Sequence, residues 1–327
     1  MTLKRKNHRL AMIINKKESM LMKKLLVFLL ALSLATAMMG ASLAKEYTIH
    51  LITMDTMDQH WQSCWKGAQD AAEEIGVKVV FNSPDTKDDN KQNECINNSV
   101  GMGADGILLA ANSPTSPVAA LKEATGQGVK LLYVDSPADF DSPRLFATDN
   151  RAGGKKIGER LLAELTEKGI TNGKIGVIGV NPSTESCNTR EEGFREAFEG
   201  TDFELLETQY GDGDASKSKE IADNYIAQGC VAVYGSNEGS TVGCGNAAKE
   251  ALAAGIEIIA CGSDASDTNM ALVRDGSLLC IMGQNPYQMG YQGVKAMVEY
   301  LDGKMDEAYA YVDTGVNVIE LSNIDEF

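Results

Sequence analysis

Nine residues with hydrogen-bonding or aromatic side chains stand at or just beyond the ends of short apolar runs. They are Asp58, His60, Trp61, Asn112, Asp135, Arg190, Asn237, Asp264 and Gln284. Carboxylates accept from pairs of hydroxyls, amides both donate and accept, and a guanidinium donates in a fixed fork. An indole ring covers a flat face of C–H bonds. Together these groups suit a small polyhydroxylated guest. Two carboxylates facing one space repel an anion, so the favoured guest is neutral.

Each position also has a structural use. Trp61 falls at helical spacing with Trp65 and serves equally as core. Thr189-Arg190-Glu191-Glu192 fits a capping box, which would leave Arg190 to pair with nearby glutamates. Asn112, Asn237, Asp135 and Asp264 are of the types that cap helices or form turns after strands. What favours a shared site is their placement at matching points of two similar halves.

Catalytic alternatives find little support. Beyond residue 44 the only histidines are His50 and His60, too few for a histidine metal cluster. No G-x-S-x-G elbow occurs. Gly101-Met102-Gly103-Ala104-Asp105-Gly106 matches G-x-G-x-x-G but precedes a strand-like run, the reverse of the dinucleotide context. Asp212-Gly213-Asp214 lacks the later glycine and glutamate of a calcium loop. Seven cysteines include no C-x-x-C pair, and the odd count leaves at least one thiol unpaired. Cys230, Cys261 and Cys280 sit in or beside apolar runs, as packed thiols do. The expectation is therefore no catalytic group, no metal and no cofactor.

The elements that must hold the nine residues come in two rounds. Strands are predicted at Tyr47–Thr53, Val77–Phe81, Gly106–Ala111 and Lys130–Val134, with helices over His60–Ile75, Lys87–Val100 and Pro117–Gln127 between them. The second round has strands at Lys174–Val180, Phe203–Glu207, Val231–Tyr234 and Glu257–Ala260, and helices over Thr189–Glu199, Lys217–Gln228 and Thr241–Ala254. A later strand spans Leu278–Met282. Thr48 to Lys174 and Val77 to Phe203 are each 126 residues, Asn112 to Asn237 is 125, and Lys130 to Glu257 is 127. Strands separated by helices of this length form parallel sheets, and the constant offset marks a duplicated unit. Such sheets gather ligand contacts at the carboxyl ends of their strands.

Residues 1–44 have the features of an export leader. Lys23 and Lys24 precede the apolar run Leu25–Leu32, and Ala41-Ser42-Leu43-Ala44 supplies small residues for cleavage after Ala44. No cysteine precedes Cys64, so no thiol is available there for lipid attachment. These residues carry +7 of a formal total of −16, which leaves −23 for the remainder. So acidic a chain offers no basic footprint for nucleic acid.

The chain resembles the ribose- and galactose-type periplasmic binding proteins of ABC transporters, from Lys45 to its end. The resemblance rests on His60–Glu74 (HWQSCWKGAQDAAEE), Gly106–Asn112 (GILLAAN), Leu132–Asp135 (LYVD), Thr148–Gly154 (TDNRAGG), Arg190–Phe194 (REEGF), Ser236–Gly239 (SNEG), Gly262–Asp264 (GSD) and Gly283–Gly290 (GQNPYQMG). It implies an α/β fold of two similar doubly wound parallel-sheet lobes joined by a three-segment hinge. The crossovers are expected near Thr148, Gln284 and Asp313, giving one lobe of 45–147 plus 285–312 and another of 148–283 plus 313–327. It further implies ligand contacts at the same nine residues, a periplasmic location, a monomer, an ABC permease as partner and a chemoreceptor as a conceivable second one. Some family features are altered. Ser136 stands where ribose binders carry arginine, and His60-Trp61 replaces paired phenylalanines. Aromatics are also missing near Gly213 and just before Asp264. The expected site is roomier and less aromatic than one built for ribose, which points to a hexose, a polyol or a related furanose. A sugar-responsive regulator shares this architecture but would need a helix-turn-helix where residues 1–44 lie. A sensor coupled only to a chemoreceptor would have the same core.

Overall fold

Tyr47 begins the described part of the chain: the computed structural model describes residues 47–327. The leader and the cleavage position near Ala44 lie outside the described residues. From Thr48 the chain runs β1 (Thr48–Ile52), α1 (Gln59–Ile75), β2 (Lys78–Phe81), α2 (Asp89–Gly101), β3 (Gly106–Leu109), α3 (Val118–Gly126), β4 (Lys130–Val134) and β5 (Arg144–Ala147). It continues with α4 (Asn150–Glu167), β6 (Asn172–Gly179), α5 (Glu185–Glu196), β7 (Asp202–Leu205), β8 (Gln209–Tyr210), α6 (Ala215–Ala227), β9 (Cys230–Gly235), α7 (Glu238–Ala253), β10 (Ile259–Ser263), α8 (Asp267–Arg274) and β11 (Cys280–Gln284). Last come α9 (Pro286–Leu301), β12 (Ala310–Asp313), β13 (Val316–Glu320) and a short 3₁₀ turn, Ile324–Glu326.

The strands form two sheets with one plan. The first has the order β12-β5-β4-β3-β1-β2 and is parallel throughout. The second has the order β13-β11-β10-β9-β6-β7, with β8 also paired to β6. It is parallel except for β13, which runs antiparallel to β11. Setting aside β8 and the edge strands β12 and β13, both sheets read fifth, fourth, third, first, second by chain order within each half. The duplicated, doubly wound α/β architecture expected from the constant offsets is therefore present.

Alternation along the strands feeds two apolar layers per sheet. In the first sheet Ile49, Leu51, Leu108 and Leu132 face α1 and α9, while Ile52, Ile107, Leu109 and Leu131 face α2 and α3. In the second, Val177, Ala232 and Tyr234 face α4 and α5, and Ile178, Val233 and Ala260 face α6, α7 and α8. Sheets covered on both faces leave only their strand tips free for polar work. The chain passes from one sheet to the other between Ala147 and Asn150, between Gln284 and Pro286, and between Asp313 and Val316. At the last crossing Thr314 donates its N–H to the Ala147 carbonyl at 2.8 Å, tying two crossings together.

Four expected elements differ in their bounds. Arg190 does not open its helix: α5 begins at Glu185 behind the N-cap Thr184, which puts Arg190 in the second turn and overturns the capping-box reading. The cause is the buried face of this helix, which carries Ser186, Cys187 and Arg190 as well as Phe194 and so lacks an apolar period at its start. The strand expected at Glu257–Ala260 lies at Ile259–Ser263, and that expected at Leu278–Met282 lies at Cys280–Gln284. Small residues that look like turn formers, Gly262 and Ser263, continue the ladder by pairing with Ile281 and Met282. The run Phe203–Glu207 is divided, β7 ending at Leu205 and β8 starting at Gln209.

Candidate functional site

The loop from β1 to α1 is organised by Asp55. Its Oδ1 accepts the N–H groups of Met57 (2.6 Å) and Asp58 (2.9 Å), an Asx turn that sets where α1 starts. Lys87, just before the α2 N-cap, reaches back to Asp55 Oδ2 at 2.5 Å and Asp58 Oδ2 at 2.8 Å. In the first turn of α1, His60 and Trp61 point inward, their rings meeting edge to face with centroids 4.6 Å apart.

His60 is the centre of the arrangement. Its Nε2 lies 3.1 Å from Asp135 Oδ2, and its Nδ1 lies 3.8 Å from Asp264 Oδ1. Asp135 follows β4 of the first sheet and Asp264 follows β10 of the second. Both adopt left-handed backbone, φ 61° and 73°, which is uncommon outside glycine and asparagine. Each donates its N–H, at 2.8 Å, to a carbonyl of the adjacent fifth strand, Phe146 for Asp135 and Met282 for Asp264. Ser136 Oγ donates to Asp135 Oδ1 at 2.8 Å, and Gln284 Nε2 donates to Asp264 Oδ1 at 2.5 Å.

Arg190 is only 2% exposed and is held by neutral groups. Its Nε and Nη2 donate to Asn150 Oδ1 at 3.2 and 2.8 Å, and its Nη1 donates to the Ser236 carbonyl. Gly154 lets α4 and α5 approach closely enough for this. A Cβ at that position would stand 1.8 Å from the Arg190 carbonyl oxygen. Asn237 caps α7 in a box with Ser240, its Oδ1 accepting from Ser240 N–H at 3.1 Å and Ser240 Oγ at 2.7 Å. The structural use foreseen for Asn237 is thus real, yet its Nδ2 stays buried and without a partner on the cavity wall.

Eight of the nine predicted residues line one cavity between the sheets: Asp58, His60, Trp61, Asp135, Arg190, Asn237, Asp264 and Gln284. Trp61 is also part of the apolar core, so both uses foreseen for it apply. Asn112 is the exception. It lies off this wall, its Nδ2 donating to Asp89 Oδ1 and its N–H donating to Gln92 Oε1 at 2.9 Å. Met54, Lys87, Val180, Thr184, Ser186 and Cys187 complete the lining and were not foreseen. For Lys87 a signal existed: it follows the second strand, and the strand-tip rule points there as well as to the first, third and fourth. Thr184, Ser186 and Cys187 were hidden by the late placement of the α5 start.

Charges in the cavity are matched. Burial alone would lower the His60 pKa, but the hydrogen bond and charge of Asp135, with the charge of Asp264, outweigh it and hold the pKa above the ordinary histidine value. Burial pushes Asp135 the other way, and His60 and Arg190 overcome it, so its carboxyl sits below the usual range. Burial raises the pKa of Asp58 despite Lys87, with Asp55 adding to the rise. Glu238, beside the cavity, is pushed up to about 7 by burial and by the charge of Asp58. No cluster of three or more histidine, cysteine or acidic side chains suited to a metal ion occurs among the described residues.

The family model for the periplasmic binding protein domain matches residues 49–305. The chain belongs to this family. As a periplasmic binding protein it is a solute-binding molecule and not an enzyme. Among its relatives, the D-allose-binding periplasmic protein of Escherichia coli K12 is 27% identical over 283 residues, covering 83% of this chain and 88% of the relative. The ribose import binding protein of Haemophilus influenzae is 27% identical over 298 residues, covering 90% and 99%. Among solved structures, an ABC transporter solute-binding protein of Agrobacterium vitis bound with α-D-tagatopyranose superposes with a TM-score of 0.79 at 27% identity. That match covers 85% of this chain and 96% of the other. A carbohydrate-transporter protein of Agrobacterium radiobacter in complex with D-arabinose gives a TM-score of 0.80 at 27% identity, covering 86% and 97%.

Proposed function

We propose that this periplasmic binding protein captures a neutral monosaccharide or polyol between two closing lobes and delivers it to an ABC permease. The reading rests first on one observation: carboxylates from the tips of both sheets, Asp135 and Asp264, converge on the two nitrogens of a single histidine. A ligand seated there touches both lobes and favours their closed arrangement.

Supporting features concern hydrogen-bonding capacity. Trp61 Nε1, Asn237 Nδ2 and Gln284 Oε1 are buried, line the cavity and have no protein partner. Each such group costs about 1–3 kcal/mol if left unsatisfied, and sugar hydroxyls satisfy donors and acceptors alike. Lys87 already faces Asp55 and Asp58, and His60 faces Asp135 and Asp264, while the third cation of the cavity, Arg190, is engaged by Asn150 and the Ser236 carbonyl and lies in the field of Asp264 and Asp135. The relatives named for ribose and allose and the neighbours holding tagatose and arabinose agree with this ligand class.

The proposed contacts are the eight residues on the wall, with Asn112 behind it, its carbonyl accepting from Thr184 Oγ1 at 3.4 Å. The proposed lobes are 45–147 plus 285–312 and 148–283 plus 313–327, hinged at the three crossings. Export through the leader, with the mature monomer acting in the periplasm, completes the proposal. A thermal-shift screen of pentoses, hexoses and polyols, with sugar acids and amino acids as charged solutes, tests it, because a ligand that binds only the native state raises the melting temperature by mass action. A neutral sugar or polyol that raises Tm is the expected result. A shift produced only by charged solutes, or by none of the panel, would overturn the assignment.

A further inference from the structure

The first turn of α1 carries His60 and Trp61, yet its own N-cap does not cap it. A helix leaves its first N–H groups without intrahelical partners, and an aspartate at the N-cap ordinarily takes one of them. Asp58 makes no such bond; Lys87 holds one of its carboxylate oxygens. Trp61 and Gln62 direct their N–H groups at the Asp58 carbonyl, at 3.1 and 3.3 Å. Gln59 and His60 remain, and the second is served from the other sheet. Glu238, the first residue of α7, accepts the His60 N–H at 3.1 Å.

The exchange runs both ways. Gln59 Oε1 accepts the N–H of Asp267, the first residue of α8, at 2.8 Å. The Ser266 side chain takes only the Asn269 N–H of that helix, at 3.2 Å. Each side of the cleft therefore lends a side chain to a helix start on the opposite side. Glu238 is itself firmly placed, since Asn237 and Ser240 lock the start of α7 in a capping box.

We infer that Glu238 and Gln59 form a reciprocal helix-capping latch across the mouth of the cleft and act as positioning residues for ligand binding. The inference rests on the proposed closing of two lobes around a ligand. The bonds exist only when the two sheets stand as they do here, so opening breaks both. Closing fixes the first turn of α1 and with it the aim of His60 at Asp135 and Asp264. A latch that forms after the ligand has entered slows its escape and leaves its entry rate alone. Glu238 also meets the charges of Asp58 and Asp264 from the surrounding elements, and Lys87 faces it through Asp58. A carboxyl in that company closes more readily when protonated.

The test uses the full-length exported protein and its E238A, E238Q, Q59A and E238A/Q59A variants. Amide hydrogen exchange at residues 59–62 and 267–269 is followed with and without the sugar found by screening, alongside stopped-flow binding. Loss of a cap is expected to speed sugar release on the order of 10-fold in E238A, with entry unchanged. Exchange at His60 should rise in the same variant. E238Q keeps an acceptor oxygen and should recover most of the slow release, with less loss of affinity between about pH 6 and pH 8 than the wild type shows. The double variant should release more slowly than the two single effects added together, because losing either bond already opens the latch; strictly additive effects would mean two separate contacts and would overturn the reciprocal latch. Wild-type release and exchange in both E238A and Q59A, with sugar binding intact, would overturn the latch alone. Altered exchange in E238A in a protein that binds no sugar would sink the sugar reading and leave the latch standing. Unaltered exchange in such a protein would sink both.

Discussion

Asp135 and Asp264 share one backbone conformation at the same point of two sheets, and the ring of His60 lies between their carboxylates. Neither carboxylate points to solvent, and neither caps a helix. A duplicated unit has thus placed a strained acidic residue twice, once in each half, aimed at one centre. Left-handed backbone at a non-glycine residue costs of order 1 kcal/mol or more and persists where surrounding structure enforces it.

Removing either carboxylate should weaken sugar binding, and Asp135→Ala should also weaken the fold because it breaks the buried pair with His60. Asp135→Ala and Asp264→Ala are each expected to cost about 2–4 kcal/mol of binding free energy, since each removes a buried charge-assisted partner. Asparagine tolerates the left-handed conformation, so Asp135→Asn and Asp264→Asn should keep the native melting temperature more closely than alanine does. Isothermal calorimetry showing wild-type affinity in both alanine variants would remove these residues from the site.

The His60–Asp135 pair also gives stability a pH signature. The His60 pKa is raised in the folded state, so its contribution is complete below the ordinary value of 6.5 and fades as pH rises through the native value. Asp135 is depressed, so its contribution is present above the ordinary carboxylate value and fades as pH falls through the native one. Breaking a buried pair costs about 3–5 kcal/mol. His60→Gln should accordingly destabilise strongly near pH 6 and much less near pH 9. Urea unfolding at the two pH values measures the difference; equal losses at both would mean that His60 is neutral in the native protein.

Much of this was open to view in the sequence, for reasons that differ by residue. Short continuous apolar runs between helically spaced segments exposed the strands, because both faces of each sheet are covered, and the constant offset revealed the duplication. Strand tips then led to eight of the residues on the cavity wall. Asn112 follows a strand in the same way, but Asp89 and Gln92, one helix earlier in the chain, claim its groups. Arg190 was found as a residue and misplaced in its helix, because a helix facing a polar cavity carries no apolar stripe there to mark its start. Lys87 follows the second strand and so falls under the strand-tip rule, but its three-way meeting with Asp55 and Asp58 is announced by no local pattern. The pairing of Glu238 with the start of α1 spans 178 residues and is equally invisible to spacing.

Close approach of α4 and α5 is what sets Arg190 against Asn150. At Gly154 the Cβ of an alanine would overlap the backbone carbonyl of Arg190, a contact that no rotamer change relieves. Gly154→Ala should destabilise the protein by about 1–3 kcal/mol and weaken sugar binding in step, because the helices must part. A Tm and a sugar affinity both equal to wild type would show that the α4–α5 contact does not hold Arg190 in place.

Cys187 offers a direct report of cleft opening. It lines the cavity, is buried, and burial pushes its thiol up to about 11 in spite of Arg190. Cys95 is half-buried on α2, away from that wall, and provides an internal reference. The other five thiols are buried in the apolar layers or beneath them. Thiolate reactivity requires both deprotonation and access, so iodoacetamide near pH 8 should reach Cys187 only through the opened form. Sugar at 100 times its Kd should then slow labelling of Cys187 on the order of 100-fold and leave Cys95 unchanged. Peptide mass spectrometry over a time course separates the two sites. Labelling of Cys187 at a rate indifferent to sugar would mean that the cavity around it does not close over the ligand.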